Sequence, residues 1–252
     1  MAVTTAAVPE APQSMGALAR VFGALFSPRA TFQDIARKPG WLLPVLIFIV
    51  LNIAVVGIFG KRVGWRAFIE KQDLQSRRTQ QQMAQMTQEQ KEHMIDLQVK
   101  VAPIFGSAAG VIGVPIVFLI LGAIFMGIFN ATASAALDFK TSFSIAAHAW
   151  MPFSLLGLLG ILVMYLKPPD TVNLQNLVAS NVGALLSNSA PMWLQTLCSS
   201  LDIFSVWVIG LLALGYSVAR PKKLKMGTTL AWVIGVWVTF VLLRTGLAAV
   251  FS

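Results

Sequence analysis

Residues 194–251 read LQTLCSSLDIFSVWVIGLLALGYSVARPKKLKMGTTLAWVIGVWVTFVLLRTGLAAVF, and this stretch decides the fold. Two continuous apolar runs, 194–218 and 228–251, flank a short basic link, ARPKKLKM. Each run is long enough to cross a hydrocarbon core, which takes about 20 helical residues. Neither shows the alternation of apolar and polar residues that marks a barrel strand. Working outward, three more such runs cover 41–59, 103–129 and 143–166. The composition agrees, with 56% hydrophobic and 12% charged residues, too little charge for a water-soluble chain of this length. The expected fold is all-α: an integral membrane bundle of five transmembrane helices, preceded by interfacial amphipathic helices.

The organisation expected around those spans is simple. Residues 1–13, rich in Ala, Thr and Pro, read as a flexible tail. Over 14–40, Leu18, Val21, Phe22, Leu25 and Phe26 recur at helical spacing, which predicts an amphipathic helix in the membrane interface. Ser27-Pro28 is a helix-start signal, and the second short helix should end before Pro39-Gly40. No basic region precedes the first apolar stretch and Arg20 interrupts it, the wrong order for a signal peptide. Residues 41–252 form the membrane domain, with a polar connection over 61–100 that is rich in Gln and Met. There Met83, Met86, Gln90, Met94, Leu97 and Val101 fall three or four apart, predicting a helix with one apolar face that leads into the second span. That face would pack on the domain itself or lie in headgroups, or else meet a partner.

Charge sets the expected orientation. The formal net charge of +9 resides in the connections. Arg220, Lys222, Lys223 and Lys225 lie between the last two spans, and Arg20, Arg29, Arg37 and Lys38 precede the first. With five spans these groups share one side, which the positive-inside rule makes cytoplasmic. The N-terminus is then cytoplasmic and the C-terminus extracytoplasmic. The connection after the first span is also basic, eight Lys/Arg against five acids, but long segments translocate with less regard to charge. The partners implied are the bilayer, anionic lipid headgroups and a membrane-protein partner or second copy. Nucleic acid is not among them, because no basic surface interleaved with exposed aromatics is apparent.

Intramembrane polar groups are costly and direct attention to function. Asp202 and Arg244 fall at matched depth on sequential antiparallel helices, so a clamp between the last two spans is expected, with a solute or ion pathway as the alternative. His148 and Asn52 are expected to hydrogen-bond within the bundle. Gly106, Gly110 and Gly113 have the small-residue spacing that lets helices approach closely. The single Cys198 excludes an internal disulfide. No metalloprotease motif, nucleophile elbow, phosphate-binding loop or paired carboxylates within one span occurs, so no enzymatic activity and no cofactor are expected.

Three stretches carry a resemblance. LFSPRATFQDIARKPGWLLPVLIFIVL, with an aromatic four positions after Pro28, resembles the start of bacterial Yip-domain proteins. Asp202, Phe204, Trp207, Leu211 and Gly215 resemble the fourth-span pattern of that family, and HAWMPFSLLGLL is similar to the opening of its third span. The resemblance covers roughly residues 18–250. It implies a five-span bundle with a cytoplasmic N-terminus. Eukaryotic relatives are associated with Rab-type GTPases and vesicle traffic. The short segment before the first span and the long 61–100 connection instead favour a bacterial cytoplasmic-membrane protein. The resulting expectation is a non-enzymatic membrane-organising or partner-binding scaffold. The alternative is a small-solute or ion transporter using Asp202 and Arg244.

Overall fold

In the computed structural model, residues 14–75, 77–172, 176–187 and 190–250 are described. The tail expected over 1–13 and the end of the last run at Phe251 lie outside them. Apolar sequence in lipid must satisfy its own backbone, and helices do so within one segment. Accordingly the described residues form α1 (Ala17–Phe26), α2 (Pro28–Arg37), α3 (Leu42–Arg62), α4 (Trp65–Gln75), α5 (Arg77–Ala84), α6 (Gln88–Ala108), α7 (Val114–Ala133), α8 (Phe139–Ala149), α9 (Met151–Leu166), α10 (Met192–Ser200), α11 (Ile203–Ala219) and α12 (Met226–Val250).

Four helical stretches are long and apolar enough to cross a membrane: Leu42–Arg62, Gln88–Ala133, Phe139–Leu166 and Met226–Val250. The second runs unbroken for 46 residues, about 69 Å at 1.5 Å per residue. That is more than twice a hydrocarbon core of about 30 Å, so its first turns project beyond the bilayer. The expected fourth span is not continuous. It breaks at Leu201-Asp202 into α10 and the 17-residue α11, which is shorter than the other four. The described residues therefore form an all-α membrane bundle with four full-length apolar helices and two shorter ones, Ala17–Phe26 and Ile203–Ala219.

The main core joins Phe32 and Ile35 of α2 to Phe125 and Phe129 of α7, Ile145 of α8, and Leu211, Leu212 and Tyr216 of α11. Both helices expected over 14–40 are present, as α1 and α2. The buried face of α2, namely Thr31, Phe32, Asp34 and Ile35, enters the bundle. Only α1 keeps an outward apolar face, with Leu18, Phe22 and Phe26 at least 61% exposed.

The turn between α7 and α8 is held from three sides. Ser134 and Ala136 both adopt positive φ, 47° and 51°, a region non-glycine residues seldom occupy. The Asn130 side chain donates to Leu137 O at 2.9 Å and accepts from Leu137 N at 2.8 Å. Arg220 donates to Ala135 O and Ala136 O, each at 3.0 Å. Asp138 then caps α8 through Thr141 N at 2.8 Å. Below this turn α7 and α8 nearly touch at Gly122. A Cβ there would stand 3.1 Å from Phe143 Cα, and Ser142 Oγ donates to Gly122 O at 2.7 Å. Gly122→Ala is expected to force the two backbones apart and lower stability by about 1–3 kcal/mol, read as a fall in detergent melting temperature. An unchanged melting temperature would show that the crossing is looser than drawn.

Among the described residues the 61–100 connection carries α4, α5 and the first part of α6. Gly64 at φ +89° turns α3 into α4. Thr87 and Gln90 form a reciprocal capping box that starts α6 afresh, so the predicted Met stripe is cut between Met83 and Gln90. Ile95 is the buried residue of α6, whereas Leu97 is 55% exposed.

Candidate functional site

At one end of the bundle, α1 and α2 fold back on each other around a buried ion pair. Arg20 Nε donates to Asp34 Oδ2 at 2.7 Å, with the two side chains 8% and 2% exposed. Met15 N donates to the same oxygen at 3.1 Å, and Arg37 lies 3.6 Å from Oδ1. Spacing along one helix does not mark the two as a pair, because Arg20 lies on α1 and Asp34 on α2. The basic turn lies at this same end. Arg220 was expected to face anionic lipid, but its guanidinium is committed to the α7–α8 turn. Lys222, Lys223 and Lys225 stay exposed, as do Arg29, Arg37, Lys38 and Lys140. Asp138 is held below the usual carboxylate range. Its partial burial acts the other way and is outweighed by the Thr141 hydroxyl and backbone N–H bonds and by the Arg220 charge.

Asp202 and Arg244, expected to clamp, form no ion pair among the described residues. Asp202 is 6% exposed and caps α11, accepting from Phe204 N at 2.8 Å and Ser205 N at 3.2 Å. Its second oxygen accepts from Ser180 Oγ. Backbone bonds from Ile203 N to Ser180 O and from Val182 N to Leu201 O, both 3.2 Å, tie the 176–187 segment across the break. Arg244 points outward from α12 and is exposed. His148 is 1% exposed with Nδ1 2.9 Å from Ser144 O, its own helix's carbonyl four residues back.

The glycine row packs inside the chain. A Cβ on Gly106 would stand 3.2 Å from Val56, and one on Gly110 would stand 2.0 Å from Asn52 Oδ1; Gly113 faces open space. Between α6 and α7 the chain winds as a π-helical turn over Ala109–Gly113. Pro115 follows, whose missing N–H cannot serve the carbonyl four residues back. Beside this turn lies a cavity of about 380 Å³, lined by α3, α7 and α9.

At the opposite end Arg66 gathers Glu70, Glu92 and Asp96. The Glu92 bond leads in raising its pKa. Burial raises that of Asp73, opposed by a Gln98 bond. No cluster of His, Cys, Asp or Glu able to hold a metal occurs among the described residues.

The model of the Yip1 domain matches residues 22–247. The chain belongs to the Yip1 family. No curated protein and no solved structure matches it. In this Yip1-domain protein the residues behind the resemblance mostly build the fold. A Cβ on Gly215 would stand 3.1 Å from the Phe32 ring, so α2 lies directly on α11. Pro152 opens α9 and Asp202 caps α11.

Proposed function

We propose that this Yip1-domain protein is a non-enzymatic membrane-organising scaffold of the bacterial cytoplasmic membrane, with its N-terminal helices and basic turn on the anionic cytoplasmic leaflet. The observation that carries this is the end of the bundle where the exposed Leu18, Phe22 and Phe26 face of α1 shares a side with exposed Arg29, Arg37, Lys38, Lys140, Lys222, Lys223 and Lys225. Apolar insertion and cationic attraction reinforce each other at such a surface. The buried Arg20–Asp34 pair fixes α1 to the bundle, so the lipid-facing helix is also a rigid platform for a membrane-protein partner or second copy. Two histidines and one cysteine in the whole chain support the non-enzymatic reading. The transport alternative depends on Asp202 and Arg244. With one capping a helix and the other outside the bundle, we place it second.

The test uses the reconstituted full chain in mixed phosphatidylcholine and phosphatidylglycerol bilayers. Lys222→Gln, Lys223→Gln and Lys225→Gln together, with Arg220 kept, should lower the preference for the anionic lipid by at least about tenfold, since each cation near the leaflet is worth about 1 kcal/mol. Thiol labelling of single cysteines at each end reports orientation. Unchanged lipid preference together with unchanged orientation would overturn the proposal.

A further inference from the structure

Arg20 brings five N–H donors into the α1–α2 hairpin, and only Nε–H has an acceptor among the described residues, Asp34 Oδ2. The Nη1–Nη2 edge of the guanidinium is the fork that matches two oxygens of one anion, and it makes no hydrogen bond among those residues. Nor is it sealed in. Asp34 Oδ1 is one of the unpaired side-chain atoms closed off from the surface, whereas neither Nη is. The 8% of the Arg20 side chain left exposed therefore includes the fork. A charged fork held this deep with its N–H groups idle is costly unless an acceptor from outside the chain meets it.

The surroundings select that acceptor. Nη1 lies 2.9 Å from where a Cβ on Gly40 would stand, so the fork is left uncovered by a residue without a side chain. Two residues on, α3 begins at Leu42 with no side-chain cap, and the positive end of its dipole favours an anion. Arg37, 54% exposed, and exposed Lys38 belong to the same stretch. Asp34 is the one acid between residues 14 and 69. Set against Arg20, Arg37 and Lys38, it leaves this notch with positive charge in excess. A carboxylate or a phosphate would satisfy the fork, and the membrane level chooses between them. Trp41 and Leu42, 37% and 58% exposed, start the apolar surface of α3 immediately beyond Gly40. The notch thus opens where headgroup phosphates meet hydrocarbon.

We propose that the notch formed by Arg20, Arg37, Lys38, Gly40 and the start of α3 binds the phosphate of one anionic phospholipid of the cytoplasmic leaflet, with the Arg20 fork holding two of its oxygens. This inference rests on the leaflet reading above and sharpens it from general attraction to a single site.

The experiment is native mass spectrometry of the full chain in detergent micelles, titrated separately with phosphatidylglycerol, phosphatidylcholine and inorganic phosphate. One phosphatidylglycerol is expected to be retained more tightly than those that follow it, and more tightly than any phosphatidylcholine. Arg20→Met with Asp34→Leu removes the fork without changing the net charge, so bulk attraction to anionic lipid is untouched. That variant should weaken the first site at least about tenfold, the worth of charge-assisted hydrogen bonds, and leave the later ones unchanged. Gly40→Val keeps both charges and covers the fork; it should do the same, and it carries the test if the double variant fails to fold. Lys222→Gln, Lys223→Gln and Lys225→Gln together should show the opposite profile, weakening the later lipids and sparing the first. Failure of the leaflet reading is thereby told apart from failure of the site. Equal first and later affinities, equal retention of phosphatidylcholine, inorganic phosphate bound as tightly as the lipid, or an undiminished first site in a folded variant would each overturn the proposal.

Discussion

Replacing Asp34 with alanine is expected to destabilise the protein by about 3–5 kcal/mol, because it leaves the buried Arg20 guanidinium without its counter-charge. Arg20 is 6% exposed, so water cannot take over the solvation that Asp34 supplies. The loss extends past the pair. Asp34 Oδ2 also accepts from Met15 N, which anchors the start of α1, and Asp34 stands one residue before Ile35 in the main core. Undocking α1 would expose Val21 and Ala24, which pack on Met151 of α9. The measurement is a detergent melting curve together with limited proteolysis after Arg20. Asp34→Ala should melt far below the parent and be cut at α1.

The control separates charge from packing. Arg20→Met with Asp34→Leu removes both charges and keeps volume, and such replacements of buried pairs are often neutral or stabilising. The double variant is therefore expected to recover most of the lost stability. Should Asp34→Ala melt like the parent, the pair is solvated in the membrane and the platform role of α1 loses its basis. Should the double variant be as poor as the single one, the site holds the helices by hydrogen-bond geometry that no apolar pair can copy.

How far the sequence discloses this molecule depends on the length over which each signal acts. Long apolar runs report burial in lipid directly, so the membrane bundle and most of its helices are legible, and the family resemblance stands on motifs spread over the same runs. Interactions across a turn are less legible. Arg20 and Asp34 are each seven residues from Ser27, and an antiparallel helical hairpin brings equidistant residues together. That symmetry is present in the sequence, although Arg20 taken alone only interrupts an apolar stretch. Arg220 sits in a basic cluster and so reads as one more lipid contact. Its partners are carbonyls beside the positive-φ Ser134 and Ala136, a backbone shape that no residue type there announces. The cavity at Asn52 depends on a π-turn beside Pro115, where helical wheels built on 3.6 residues lose register.

The break before α11 gives the second large effect. Asp202→Ala is expected to cost about 2–3 kcal/mol, combining a lost N-cap with a lost side-chain bond. The carboxylate satisfies Phe204 N and Ser205 N, and through Ser180 Oγ it also pins the 176–187 segment against the bundle. In lipid or under a protein cover, freed N–H groups find no water to replace it. Asp202→Asn keeps a capping oxygen and should lose less than about 1 kcal/mol. Arg244 belongs to a different category. It is exposed on α12, and Arg244→Ala should change stability by no more than about 0.5 kcal/mol. The decisive variant exchanges the two charges, Asp202→Arg with Arg244→Asp. A clamp would be rescued by the exchange. A cap cannot be, because an arginine at the helix start donates where acceptors are needed and meets the positive end of the helix dipole. The exchanged protein should therefore melt below Asp202→Ala. Recovery to the parent value would show that the charges do meet in the bilayer, and the solute-pathway reading would then move ahead of the scaffold.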